Sequence, residues 1–277
     1  MYFSSLGLSL KWVIFNYSIQ SVSSNCIWQQ LTSSGSMATQ DQIARDDLLT
    51  SEVLKEDISA FKVHQAPDTV YYIPDFITAN EEKHLLHQVY AAPKPKWTQL
   101  SHRRLQNWGG LPHPKGMIVE KLPGWLDVYA KKIAKYGLFE EHVPNHVLVN
   151  EYKPGQGIMP HEDGPLFYPV VTTINLGSHS VLQFSHHSVK QQMVDDGSKD
   201  FSLLLQPRSL LMLKNVVYTD YLHGIAELSK DTLGDDIVNL DATGQALGDC
   251  LLRETRVSLT IRYVPKTLKV KLMLGKR

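Results

Sequence analysis

The chain has 277 residues, with 28 Lys+Arg against 28 Asp+Glu, 12 His and 2 Cys, and a formal net charge of zero. That balance excludes a whole-molecule field for nucleic acid, so any contact with phosphate must come from a local patch. Cys26 and Cys250 are too few and too far apart for a disulfide scaffold or a cysteine zinc cluster, which fits a reducing compartment, and no apolar run reaches the length of a membrane span.

In chain order, the first segment holds a short apolar run, LGLSLKWVIF, that Lys11 interrupts and no basic stretch precedes, a poor match to a secretory signal. Ser- and Gln-rich sequence follows, and Met37 opens a stretch that reads like an ordinary protein start. Residues 1–36 are therefore expected to be a disordered or mis-assigned extension, and 1–60 as a whole a flexible one, with the folded domain spanning 61–277. Residues 70–73, VYYI, form a short β-like run stopped by Pro74. Thr78-Ala79-Asn80-Glu81 has the capping-box pattern, and Leu85, Leu86 and Val89 follow at helical spacing, which predicts a helix over 81–90.

Between 93 and 116 the texture changes. Lys94, Lys96, Arg103, Arg104 and Lys115 are interleaved with Trp97 and Trp108, and Gly109-Gly110 and several prolines interrupt regular structure. Cations contact phosphate and indole faces stack on bases, so the segment has the make-up of a nucleic-acid-contacting flap. The competing reading is a solvated basic loop whose two tryptophans pack on the core. Pro123 then opens a second amphipathic helix, with Trp125, Leu126, Tyr129, Ile133 and Tyr136 at i, i+3 and i+4 up to Gly137.

From His146 the pattern switches to strands at 146–152, 170–176, 181–184, 202–205, 209–213, 216–222 and 256–264. Helices first and many short strands afterwards predict an α+β protein whose later half is a β-sandwich or jelly-roll barrel. Two hydrophilic segments, 185–200 and 227–249, read as mobile loops at the barrel mouth, with His186 and His187 as exposed loop residues.

The stretch NEYKPGQGIMPHEDGPLFYP, residues 150–169, carries His161 and Asp163 two positions apart. In an extended backbone such residues face the same side, so imidazole and carboxylate converge as half of a metal site. About one His-x-Asp/Glu pair is expected by chance in such a composition, but this one follows an alternating strand and a Gly-rich turn. A second imidazole would complete the two-His, one-carboxylate set of non-heme iron oxygenases. His223, ending the 216–222 run before a glycine, is the best-placed candidate. Arg256-Val-Ser-Leu-Thr-Ile-Arg262 alternates strictly: Val257, Leu259 and Ile261 on one face, Arg256, Ser258, Thr260 and Arg262 on the other. Guanidinia inside a barrel are costly without an anion, and a dicarboxylate suits their planar fork. Asn150 and Tyr152 alternate on one face of their strand and can add hydrogen bonds.

Asn-x-Tyr before a Gly-rich turn, His-x-Asp, a distant His-Gly and a final Arg-x5-Arg strand together resemble the AlkB family of Fe(II)/2-oxoglutarate dioxygenases, over about residue 61 to the C-terminus. The resemblance implies a double-stranded β-helix core with the N-terminal helices packed outside. It implies His161, Asp163 and His223 as iron ligands, and Asn150, Tyr152, Arg256, Ser258, Thr260 and Arg262 lining the 2-oxoglutarate pocket, with Arg256 meeting the distal carboxylate. The implied activity is an oxidoreductase one, oxidative demethylation of an alkylated nucleic-acid base using Fe(II), 2-oxoglutarate and O2. The base would be single-stranded or flipped out, contacted through residues 94–115. The rival expectations are a dioxygenase for a protein or small molecule, and a catalytically silent nucleic-acid-binding relative. A monomer, without membrane attachment, in the cytoplasm and nucleus completes the expectation.

Overall fold

Two β-sheets carry the molecule, and the computed structural model describes them over residues 56–186 and 199–268. The expected extension up to residue 55, with Cys26, and also His187, lie outside the described residues. Strand β1 (Val70–Ile73) leads into helix α1 (Ala79–Ala91). Thr78 caps that helix: its hydroxyl accepts the Glu81 N–H at 3.2 Å, while the Glu81 carboxylate accepts the Thr78 N–H at 2.8 Å. Four short strands follow, β2 (Thr98–Gln99), β3 (Arg104–Trp108), β4 (Gly110–Leu111) and β5 (Met117–Val119), and then α2 (Gly124–Ala134), with Pro123 at its N-cap. The remainder is β-rich: β6 (His146–Tyr152), β7 (Ile158–His161), β8 (Val170–Leu176), β9 (Ser180–His186), β10 (Phe201–Leu205) and β11 (Leu210–Lys214). A one-turn helix, α3 (Val216–Thr219), precedes β12 (Tyr221–Ile225), β13 (Lys230–Thr232), β14 (Cys250–Leu252), β15 (Arg256–Arg262) and β16 (Thr267–Leu268). Among the described residues no helix is long and apolar enough to cross a membrane.

The larger sheet runs β1-β11-β8-β15-β6-β3-β2 and the smaller β10-β9-β12-β7, the two halves of a jelly roll. Strand alternation decides what each face meets. From β15, Val257, Leu259 and Ile261 join Val147 and Val149 of β6 in a layer packed on Leu85 and Val89 of α1 and Leu126 and Ile133 of α2. The helices are therefore outside, as expected. The opposite face of the same sheet looks toward the small one. There Val171, Leu211 and Leu213 pack with Leu182, Phe184, Leu203 and Ile225 in a second core.

Three expectations need correction. The run 216–222 is not one strand: Asn215 takes a positive φ of 52°, and the Thr219 and Asp220 N–H groups bond back to the Asn215 and Val216 carbonyls. A short apolar run does not distinguish helix from strand, and the strand begins only at Tyr221, which places His223 in its middle. Segment 227–249 is not a loose loop either. It forms the β13–β14 hairpin and buries Leu233 and Ile237 against Val181 and Leu204 on the outer face of the small sheet. The Asn239 amide clamps it there, accepting from the Leu204 N–H at 2.8 Å and donating to the Leu204 carbonyl at 3.0 Å. Finally, the basic stretch 93–116 contributes β3, paired with β6 in the large sheet, and is part of the scaffold rather than an interrupted flap.

Candidate active site

In the small sheet His161 of β7 stands directly opposite His223 of β12, with ring centroids 4.5 Å apart. Glycine makes that approach possible. A Cβ on Gly157 would lie 2.2 Å from the Ile225 carbonyl oxygen, and one on Gly224 would lie 2.9 Å from the Pro160 nitrogen. Asp163, two residues beyond His161, completes a cluster in which one donor atom from each of the three side chains lies within 4.8 Å of the others. His161 Nδ1 is 2.9 Å from the Met159 carbonyl. A carbonyl only accepts, so Nδ1 carries a proton, and in the neutral ring the lone pair of Nε2 is the one left for an ion.

The cluster is part-buried and electrostatically tuned. Burial would raise the Asp163 carboxyl, but the charges of Arg262, His223 and His161 outweigh it and hold the pKa below the usual carboxylate range. Arg262 grips both Asp163 oxygens, with Nε to Oδ2 at 3.2 Å and Nη2 on Oδ1. Burial brings His223 down to about 4, an effect that Asp163 opposes and that His161 and Arg262 reinforce. Neutral imidazoles and an ionised carboxylate are the protonation states in which such groups ligate a metal.

From the cluster a cavity of about 300 Å³ runs between the sheets. Strand register orders its wall in rows. Tyr152 faces Arg256; Asn150, Ser258 and Asn175 form the next row; Leu148, Thr260 and Thr173 the third; His146, Arg262 and Val171 the last. All six residues expected to bind cosubstrate line this cavity, together with the three expected ligands. One differs in role: Arg262 lines the wall but its guanidinium is taken by Asp163, which leaves Arg256 as the cation of that strand without a carboxylate partner. Arg256 is 4% exposed, donates from Nη2 to Asn175 Oδ1 at 2.6 Å, and sits 5.7 Å from the Tyr152 ring centroid. Burial lowers its pKa to about 10, still cationic at neutral pH. Leu182, Leu205, Leu211 and Leu213 supply apolar surface on the remaining sides.

Sequence reasoning missed several lining residues, among them Asn107, His146 and Phe167, and the outer partner Asn175, and it read Arg103 as a cation of the basic segment although it lines the cavity. The signal for Asn175 was present: it is a polar residue inside the apolar 170–176 run, in phase with Thr173 and Val171. Burial, with Arg262 nearby, brings the His146 ring down to about 3, and it lies 5.7 Å from the Phe167 ring. His186 takes no part in the ligand cluster, as expected, but it lies in β9 with its ring edge-on to Tyr221, not in an exposed loop.

The basic segment divides. Arg104 turns to the helix side, where its Nε and Nη2 meet the two Glu151 oxygens at 2.7 Å each and its guanidinium lies 4.0 Å over Trp97. Trp108 packs edge-on to Trp125 under Lys96. Both tryptophans therefore serve packing, while Lys94 and Lys115 remain exposed.

Comparison with known proteins agrees with this geometry. Residues 96–262 match the family model of the 2OG-Fe(II) oxygenase superfamily. A Danio rerio protein named "Probable RNA/DNA demethylase ALKBH6" is 56% identical over 225 residues, covering 80% of this chain and 96% of the relative. An uncharacterized protein, L905, of Acanthamoeba polyphaga mimivirus is 29% identical over 200 residues, covering 70% of this chain and 84% of its own length. Among solved structures, an oxidoreductase of the 2OG-Fe(II) oxygenase family from Burkholderia pseudomallei superposes with a TM-score of 0.51 at 10% identity, over 77% of this chain and 93% of that one, a likeness of fold.

Proposed function

This chain belongs to the 2OG-Fe(II) oxygenase superfamily and to its AlkB family, and we propose that it removes alkyl groups from nucleic-acid bases by oxidation. It is an oxidoreductase, and the family uses Fe(II), 2-oxoglutarate and O2. His161, Asp163 and His223 would hold the iron. Their donor set, two imidazoles and one carboxylate, suits Fe(II) and leaves positions for cosubstrate. Orphaned polar atoms support the cosubstrate: the Arg256 Nε and the Asn150 Oδ1 are buried without a hydrogen-bond partner. A native protein pairs such groups with another side chain, an ordered water or a ligand, and here both face the same cavity.

When bound, the iron with O2 and 2-oxoglutarate supplies the oxidation of a C–H bond. The chain's share is placement. Arg256, held by Asn175, would take the distal carboxylate, with Asn150, Tyr152, Ser258 and Thr260 along the wall beside it. Arg262 fixes the orientation of the Asp163 carboxylate, and the leucines of both sheets keep bulk water away from the reacting atoms.

The substrate would enter at the other end. A groove of about 610 Å³ opens beside Asp163, between loop 112–114, loop 163–167 and residues 265–266. Phe167 and several prolines offer flat apolar faces to a base, and Lys266 a charge to a phosphate. Tyr218 of α3 steadies this rim, donating to the Gly164 carbonyl at 3.2 Å. The observation that carries the proposal is the continuity of one cavity from the His–Asp–His cluster to Arg256. The test is incubation of the iron-loaded protein with N-methylated single-stranded oligonucleotides, following formaldehyde and succinate together. Equimolar release supports a base demethylase. Succinate without formaldehyde across all methylated oligonucleotides would favour a protein or small-molecule substrate.

A further inference from the structure

The arginines of the described residues fall into two groups. Arg104, Arg208, Arg253 and Arg262 each pair with carboxylates, respectively Glu151, Asp75 with Glu82, Asp231 and Asp163. Arg103 and Arg256 do not, and both line the central cavity. Each has its Nε buried without a hydrogen-bond partner. Register brings them to the same place. Strand β3 pairs with β6 so that Arg104 faces Glu151 and Leu105 faces Asn150, and one step further sets Arg103 beside Tyr152, whose partner on its other side is Arg256. Alternation keeps the two neighbours apart: Arg103 and Asn107 line the cavity, while Arg104 and Gln106 turn to the helix side, where Gln106 donates to the Val89 carbonyl of α1 at 2.9 Å.

We propose that Arg103 is a second guanidinium for the distal carboxylate of 2-oxoglutarate, closing on it from the side of Tyr152 opposite Arg256. This rests on the reading of the cavity as the cosubstrate pocket. Arg256 is buried and Arg103 part-buried on either side of one buried ring, and neither pairs with a carboxylate among the described residues, so both charges are available to an anion from outside. A carboxylate can accept from both forks. The Tyr152 phenol, whose pKa burial raises, feels Arg256, Arg103 and Arg262 alike as opposing charges.

Arg103 differs from Arg256 in what carries it. Arg256 is fixed in the middle of the large sheet, but Arg103 ends a tight turn joining β2 to β3. There the Leu100 N–H bonds to the Arg103 carbonyl at 2.9 Å, and the Gln99 amide donates to the carbonyls of Leu100 and Arg103. The adjacent His102 reaches Glu227, just beyond β12, at 3.1 Å.

The experiment uses the full chain loaded with Mn(II) and titrated by calorimetry with two acids. One is 2-oxoglutarate; the other is 2-oxobutanoate, with the same 2-oxo acid head but no distal carboxylate. R103A, and R103M which keeps most of the apolar stem, are expected to bind 2-oxoglutarate about 10- to 100-fold more weakly than wild type, with 2-oxobutanoate unchanged within about 2-fold and R103K between. Equal 2-oxoglutarate affinity in R103M and wild type overturns the assignment. So does an equal loss for both acids. Wild-type protein that binds neither acid overturns the cosubstrate reading of the whole cavity, a different failure from one seen only in the Arg103 variants.

Discussion

His161 and His223 are direct cross-strand partners, 4.5 Å between ring centroids, on the two strands that Gly157 and Gly224 allow to close together. Two imidazoles at that distance, with the Asp163 carboxylate beside them, converge as the donor set of a divalent cation. H161A, H223A and D163A should each lower Mn(II) affinity by more than the roughly 10- to 100-fold typical of losing an outer partner. Calorimetric titration of the apoprotein reads this directly, and a variant that binds metal as wild type does removes that residue from the ligand set.

Arg262 acts through Asp163. Its two nitrogens hold both carboxylate oxygens, so R262Q should fold but bind metal about 10- to 100-fold more weakly. The same titration checks it, with the melting temperature as a control for general damage. Unchanged metal affinity would make the ion pair a matter of packing alone.

Arg104 and Lys115 lie close in sequence and should behave oppositely. Glu151 is 2% exposed and depends on the Arg104 fork. The Arg104 side chain is 35% exposed, so water can replace part of what its removal takes from Glu151, and R104A should be destabilised by about 1–3 kcal/mol. Lys115 is exposed, and K115A should stay within about 0.5 kcal/mol of wild type. Urea unfolding midpoints measure both, and a neutral R104A would contradict the placement of Arg104 on the helix face.

Asp231 anchors the outer hairpin between Arg253, at 2.6 Å to each oxygen, and His179 at 3.1 Å. Burial pushes its carboxyl up, but the hydrogen bonds and charges of Arg253 and His179 outweigh this and lower the pKa. A carboxyl lowered on folding contributes stability that is present above its unfolded pKa of about 3.9 and lost as pH falls through the folded value. Wild-type stability should therefore drop on the acid side below about pH 5, while D231N is weaker at neutral pH and falls less steeply. Parallel acid limbs for the two proteins would contradict this.

Some of this was legible in the sequence and some was not, for identifiable reasons. Strand β15 could be read residue by residue because its apolar and polar positions alternate without a break and both faces are buried, one on helices and one on the cavity. His161 and Asp163 were readable because a two-residue spacing fixes a shared side wherever the backbone is extended. The side taken by Arg103 and Arg104 was not, since a shift of one residue in pairing exchanges the two, and only the register of β3 on β6 sets it. Segment 227–249 looked like a loop because Leu233 and the Ile237-Val238 pair are short apolar pieces separated by Gly234, Asp235 and Asp236; what Leu233 and Ile237 cover is an outer sheet face that exists only after the strands assemble.

The most direct test of the central claim, one cavity holding metal and 2-oxo acid together, is anaerobic titration of the apoprotein with Fe(II) and then 2-oxoglutarate, followed in the visible. Chelation of the keto acid by the iron gives a charge-transfer band. The structure predicts that band in wild type at one equivalent of each, its loss in D163A and H223A, and, in R256A, its appearance only at much higher 2-oxoglutarate. Wild-type protein with no band at saturating iron and cosubstrate would contradict the account.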